Sequence, residues 1–201
     1  MSNVKFGQGP TAEQLRAELS RVQYRRRYMT TLRSTIYALI AVATGVLLAV
    51  IWLPVFRITG ESMEPTLSSG DIVVTWRGDA PVQGEMVAFT HEGKTLVKRV
   101  VAVAGDEITM RLDGTVVVNG AALDEPYVAA LDRGECDVEL PMIVPDGCVF
   151  VMGDNRGDSV DSRSAAMGCI PVEEIIGRAL LRIWPMDRFE MYMSFEQLWR
   201  D

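Results

Sequence analysis

The chain has 201 residues, 48% of them hydrophobic, and a formal net charge of −7. That length accommodates one ordinary domain plus an appended segment, and the acidic balance argues against a nucleic-acid partner. The charge is unevenly spread: residues 1–33 hold seven Lys or Arg against two acidic residues, a net of +5, whereas residues 34–201 hold 13 basic against 25 acidic, a net of −12.

In the first segment, TAEQLRAELSRVQYRRRYM places Thr11 and Gln14 at capping-box spacing, with Ala12, Leu15, Leu19 and Val22 on one helical face. Its basic character suits the anionic inner leaflet of a membrane, and a frayed cytoplasmic tail fits equally. From Ser34 to Phe56 there is no charged residue, a run long enough to cross a bilayer. A buried core helix would be shorter and would show a polar stripe. A cleaved secretory signal fits poorly, since both the basic region and the apolar core are too long and no small-x-small site follows. Basic flanks stay in the cytoplasm. The expected layout is therefore a cytoplasmic segment 1–33, a single transmembrane helix 34–56 in the cell membrane, and an extracytoplasmic domain 57–201.

That domain reads as β structure. DIVVTW (71–76), EMVAFT (85–90), TLVKRVVAV (95–103) and EITMRL (107–112) are short, rich in β-branched residues and punctuated by Gly, Pro or Asp. Asp113-Gly114 and Asn119-Gly120 bracket TVVV and predict a hairpin and a second tight turn. VFVM (149–152) and ALLRIW (179–184) predict two more strands, and VEEIIG after Pro171 a short helix. No internal repeat, Cys/His metal spacing or phosphate-binding glycine loop is present, so no metal or cofactor is expected.

Three stretches carry polar chemistry. GESMEPTL (60–67) displays Ser62, yet the chain has one histidine, His91, to serve as the usual base. LVKRVVAVAGD (96–106) holds Lys98 inside an apolar strand, and MGDNRGDSVDSR (152–163) gathers Asp154, Ser159, Asp161 and Arg163 in one loop. Taken singly, such a lysine usually runs its stem along the surface and such a loop is usually a turn bonding its own backbone.

Together, in this order, the three stretches resemble the boxes of the bacterial type I signal peptidases, membrane-anchored Ser/Lys endopeptidases. The resemblance extends through DGTVVVNG, the EPY at 125–127 and GCIPVEEIIGRALLRIWP (168–185), from about Arg57 to Pro185. It implies a mostly β, signal-peptidase-like antiparallel catalytic domain behind one N-terminal membrane helix. It implies Ser62 as nucleophile and Lys98 as general base, with Met63, Val97 and Val100 helping to desolvate the amine. Ser159 would orient that amine, Asp161 and Arg163 would pair to hold the loop, and Arg99 with Asp154 would form a second ion pair. The Ser62 N–H would be one oxyanion donor; Gly60 stands where some members place a second, hydroxyl donor. The implied substrates are secretory preproteins, cut beyond their signal peptides after small residues at the first and third positions, by an enzyme acting as a monomer near the export machinery.

His91 reads as an exposed turn residue. Cys136, Cys148 and Cys169 lie on the expected outer side, where disulfides form; Cys148 and Cys169 flank the loop, as a bridge or as free thiols. Two rival readings are a self-cleaving Ser/Lys protease of the repressor type and a membrane-anchored β domain that binds peptides without cutting them.

Overall fold

The computed structural model describes residues 12–192. The expected Thr11–Gln14 cap lies outside what it describes. A first unit, residues 1–49, is helical where described, and a second, residues 50–201, carries every strand. Helix α1 runs unbroken from Ala12 to Trp52, and among the described residues it alone is long and apolar enough to cross a membrane. At 41 residues it is ~60 Å long, so the helix continues through the basic segment rather than beginning at Ser34. It also stops short of Phe56. Pro54 disfavours helical conformation in the residue before it, and Val55–Arg57 is already a strand, paired antiparallel with residues 72–74. The apolar run thus divides into the end of a helix and the start of the β domain.

The strands are β1 Val55–Arg57, β2 Ile72–Trp76, β3 Met86–His91, β4 Lys94–Val103, β5 Glu107–Met110, β6 Val116–Val118, β7 Ala121–Ala122, β8 Met142–Ile143, β9 Cys148–Met152, β10 Ile170–Pro171, β11 Ile175–Trp184 and β12 Glu190–Met191. All described pairings are antiparallel. The larger sheet has the order β1-β2-β11-β3-β4-β9-β10, with β12 also on β11, and the smaller one is β7-β6-β5-β8. At the β6–β7 turn, Asn119 and Gly120 both take positive φ, 51° and 79°, as a tight two-residue hairpin turn requires.

The VEEIIG stretch departs from expectation. Only Val172–Glu174 forms a single 3-10 turn; Ile175 and Ile176 open β11, Ile175 pairing with Phe89 of β3 and Ile176 standing at an irregularity before Gly177. β-Branched residues followed by Gly177 favour this outcome. A Cβ on Gly177 would stand 2.9 Å from Thr75 Oγ1 and 3.0 Å from the Trp76 carbonyl, so the glycine lets β11 lie close against β2. Of the two readings for Cys148 and Cys169 the structure shows free thiols, and Cys136 is free as well. Cys148 pairs with Pro171 across β9 and β10, and both Cys148 and Cys169 pack against the same apolar cluster.

Three packed clusters hold the domain. Val101, Ala102, Phe150 and Met152 meet Ile108, Val116 and Val118 and bind the two sheets together. Val87, Phe89, Val100, Val149 and Val151 fill a second. The third places Met63 and Leu67 against Ile58, Val73, Met86 and Ala179. Ser62 therefore sits at the head of a turn whose next residue is sunk in the core.

Candidate active site

The turn is built locally. Glu64 N–H donates to the Glu61 carbonyl (3.0 Å) and Leu67 N–H to the Met63 carbonyl (2.8 Å). Met63, 2% exposed, and Leu67, fully buried, fix the turn from below. Arg182 on β11 steadies it further, donating to the Thr66 carbonyl (2.9 Å) and to Asp71 (3.1 Å). With its side chain left out of the core cluster, Ser62 lines a cavity of about 100 Å³ together with Phe56–Gly60, Met63 and Thr95–Lys98. Gly60, at φ 95°, forms part of its wall. The Ser62 N–H makes no hydrogen bond within the described residues.

Lys98 lies on β4 where the strand is flanked by β3 and bordered by the first β9 pairing at Arg99. It is only 3% exposed. Its ammonium donates to Ser159 Oγ at 2.9 Å, and that hydroxyl donates to Asp161 Oδ2 at 2.9 Å. No hydrogen bond joins Ser62 to Lys98, but the two line the same cavity. Burial pulls the lysine pKa from 10.5 down to about 8, because desolvation disfavours the charged amine. The Asp161 charge opposes the fall and the Arg163 charge assists it.

Asp161 and Arg163, both 1% exposed, form a two-pronged pair at 2.8 Å on each prong. Burial pushes the Asp161 carboxyl up, but the hydrogen bonds and charge of Arg163 together with the Gly153 N–H outweigh it and hold the group below its ordinary value. Asp161 Oδ2 accepts from the Gly153 N–H (2.9 Å), and Ser162 exchanges bonds with Val151 (3.0 Å each way). The loop is thereby closed onto the end of β9.

Arg99 and Asp154 pair through Nε and Nη2 at 2.8 and 2.6 Å. Asp154 also accepts from Thr66 Oγ1, and Arg99 lies 3.8 Å over the Tyr127 ring, so this pair couples the loop to the Ser62 turn.

Gly153, Asn155, Glu125 and Arg156 carry no role in the sequence reading. Asn155 N–H donates to the Ser62 carbonyl (3.1 Å) and its amide to the Glu61 carbonyl (3.2 Å). A Cβ on Gly153 would fall 2.2 Å from Ser159 Oγ and 2.5 Å from the Ser62 carbonyl. Arg156, buried, bonds the Gly153 carbonyl (3.1 Å) and pairs with buried Glu125. Gly153, Asn155 and Arg156 sit inside the GDNR stretch that drew notice, but their partners are distant in sequence, so position alone gave no signal. His91 ends β3 at the hairpin with β4, and it does not line the cavity of Ser62 and Lys98.

The family model described as "Signal peptidase, peptidase S26" matches residues 29–184, most of the chain and all of this site. The protein belongs to the S26 signal peptidase family. Among its relatives are a probable signal peptidase I-2 of Synechocystis, 37% identical over 145 residues, and a signal peptidase I of Bacillus caldolyticus, 33% identical over 150. A signal peptidase IB of Staphylococcus aureus is 35% identical over 155. The matches cover 65–67% of this chain; they span 63% of the Synechocystis protein and 80–81% of the other two. The crystal structure of a signal peptidase I from Enterococcus faecalis aligns with a TM-score of 0.41 at 28% identity, covering 49% of this chain and 96% of that one. Membership in the signal peptidase family accords with the mostly antiparallel β domain behind an N-terminal apolar helix. The matched span contains Ser62, Lys98 and the whole 153–163 loop.

Proposed function

We propose that this S26 family member is a serine endopeptidase that removes signal peptides from secreted preproteins, with Ser62 as nucleophile and Lys98 as general base. The observation that carries the reading is Lys98 itself: a buried amine, lowered to about 8, held by Ser159 and lining the same small cavity as Ser62. A lysine at its ordinary value is almost wholly protonated at neutral pH and cannot accept a proton. With a lowered value, neutral Lys98 takes the Ser62 proton as Oγ attacks the scissile carbonyl. The Ser62 N–H donates to the oxyanion, while Gly60 offers no hydroxyl. As the tetrahedral intermediate collapses, the C–N bond breaks and Lys98 returns the proton to the leaving amine. Water then adds to the acyl-enzyme by the same route. Asp161–Arg163 and Arg99–Asp154 fix the positions of Ser159 and the nucleophile turn.

In this reading α1 anchors the protein in the cell membrane with residues 1–33 cytoplasmic and the β domain outside, where translocated preproteins arrive. The cavity takes the signal end of an extended substrate, with small residues entering beside Ser62. The experiment mixes detergent-solubilised protein with a preprotein and reads the new N-terminus. Cleavage after a small-x-small site is expected, with loss in Ser62→Ala and Lys98→Ala and little further loss in the double variant, because the pair acts as a unit. More than a few per cent of activity in either single variant overturns the dyad. Protease added to spheroplasts should reach the β domain and spare residues 1–33, and the reverse pattern overturns the orientation.

A further inference from the structure

The nucleophile turn has two flanks. On one lies the cavity of Ser62, Gly60 and Lys98 already described. On the other lies a larger cavity, about 310 Å³, walled by Glu64, Pro65, Ala129, Ala130, Asp132 and Asn155. Asn155 joins them, since its backbone N–H holds the Ser62 carbonyl and its amide holds the Glu61 carbonyl. Glu64 and Pro65 follow Ser62 and Met63 directly in the chain, so the two cavities flank one turn.

We infer that this second cavity receives the first residues of the mature protein, on the far side of the cut, and that it favours a basic side chain there. The inference rests on the peptidase reading above and adds a substrate preference to it. Its charges are one-sided. Asp154 and Arg156, deeper in the wall, are neutralised by Arg99 and Glu125, so neither offers a free charge. Among the described residues Glu64 and Asp132 make no salt bridge. Glu64 is half-buried and Asp132 exposed, each able to meet a substrate cation, and Arg133, the next residue, does not line the cavity. Asp132 is held in place through the bond from Gly134 N–H to its Oδ1 (2.8 Å), and the bare Cα of Gly157 faces its Oδ2. Two carboxylates lining a cavity next to the Ser62 turn, Asp132 held and Glu64 free to swing, give a lysine or arginine side chain partners and give a carboxylate none.

The test uses the full-length protein in detergent with a set of peptides that share one signal-side sequence and carry Lys, Gln or Glu at the second and third positions after the cut. Opposite charges at exposed pairs act weakly, so the Lys peptide should exceed the Glu peptide in kcat/KM by about threefold to tenfold, mostly through KM. The preference should shrink at high salt, where exposed charges are screened. Asp132→Asn and Glu64→Gln should each flatten it by lowering kcat/KM for the Lys peptide. A Lys/Glu ratio of one, or a ratio that survives both substitutions, overturns the inference while leaving the peptidase reading intact. Failure to cut any peptide overturns both.

Discussion

Raising the pH across neutrality is the most direct probe of Lys98. With a pKa near 8, about one amine in ten is neutral at pH 7, against about three in ten thousand at 10.5, a difference of about 300-fold in competent base. The rate constant kcat/KM should therefore climb close to tenfold for each pH step below about 8 and level off above it. The same shift acts on stability. Because the folded lysine releases its proton earlier than the unfolded one, the unfolded chain binds more protons between about 8 and 10.5. Stability from this group consequently rises with pH across that window, and its cost is fully present below it. The gap between 10.5 and about 8 amounts to about 3 kcal/mol at 1.36 kcal/mol per pKa step. Lys98→Met should then be inactive yet more stable at pH 7 by up to about 3 kcal/mol, less what the lost bond to Ser159 contributes, with the gain vanishing near pH 10.5. Cleavage of one fixed peptide from pH 5 to 10, beside thermal melts of both proteins at pH 7 and 10, measures each part. A flat rate profile, or a Lys98→Met protein less stable at pH 7 than its parent, refutes the reasoning.

Gly153→Ala places a methyl where Ser159 Oγ and the Ser62 carbonyl now stand; displacement of either should cut kcat by about a hundredfold, and full activity in a folded Gly153→Ala protein would count against the loop's role. Asp161→Asn removes the charge that most opposes the fall in the Lys98 pKa, so the rising limb of the rate profile should move to lower pH. It also leaves buried Arg163 without its counter-ion, and the melt should report a loss of about 3–5 kcal/mol. A limb that moves to higher pH contradicts the electrostatic assignment.

Much of the β domain was legible because its strands are apolar, β-branched and separated by turn residues with one reading, as at Asn119-Gly120. The site was legible only through its resemblance to a family. Lys98 and Ser159 are 61 residues apart and Arg99 and Asp154 are 55 apart, distances over which a single sequence carries no pairing signal. The misreadings have local causes. VEEIIG offers acidic helix formers, but tertiary pairing of Ile175–Arg178 with β3 decides the outcome. The helix end at Trp52 was hidden because Val55 and Phe56 are as apolar as the helix before them, and their pairing with Val74 and Val73 is set by residues further along the chain. The pairs Glu85–Arg178 and Asp71–Arg182, 93 and 111 residues apart, lock β11 into the sheet and left no trace in local pattern.

The short passage from α1 into β1 has a consequence of its own. Trp52 closes the helix, and Phe56, already a wall residue of the nucleophile cavity, follows four positions later. Four residues span at most ~14 Å of chain. Trp52 and Phe56 can therefore separate by no more than that reach, whatever surrounds the apolar helix.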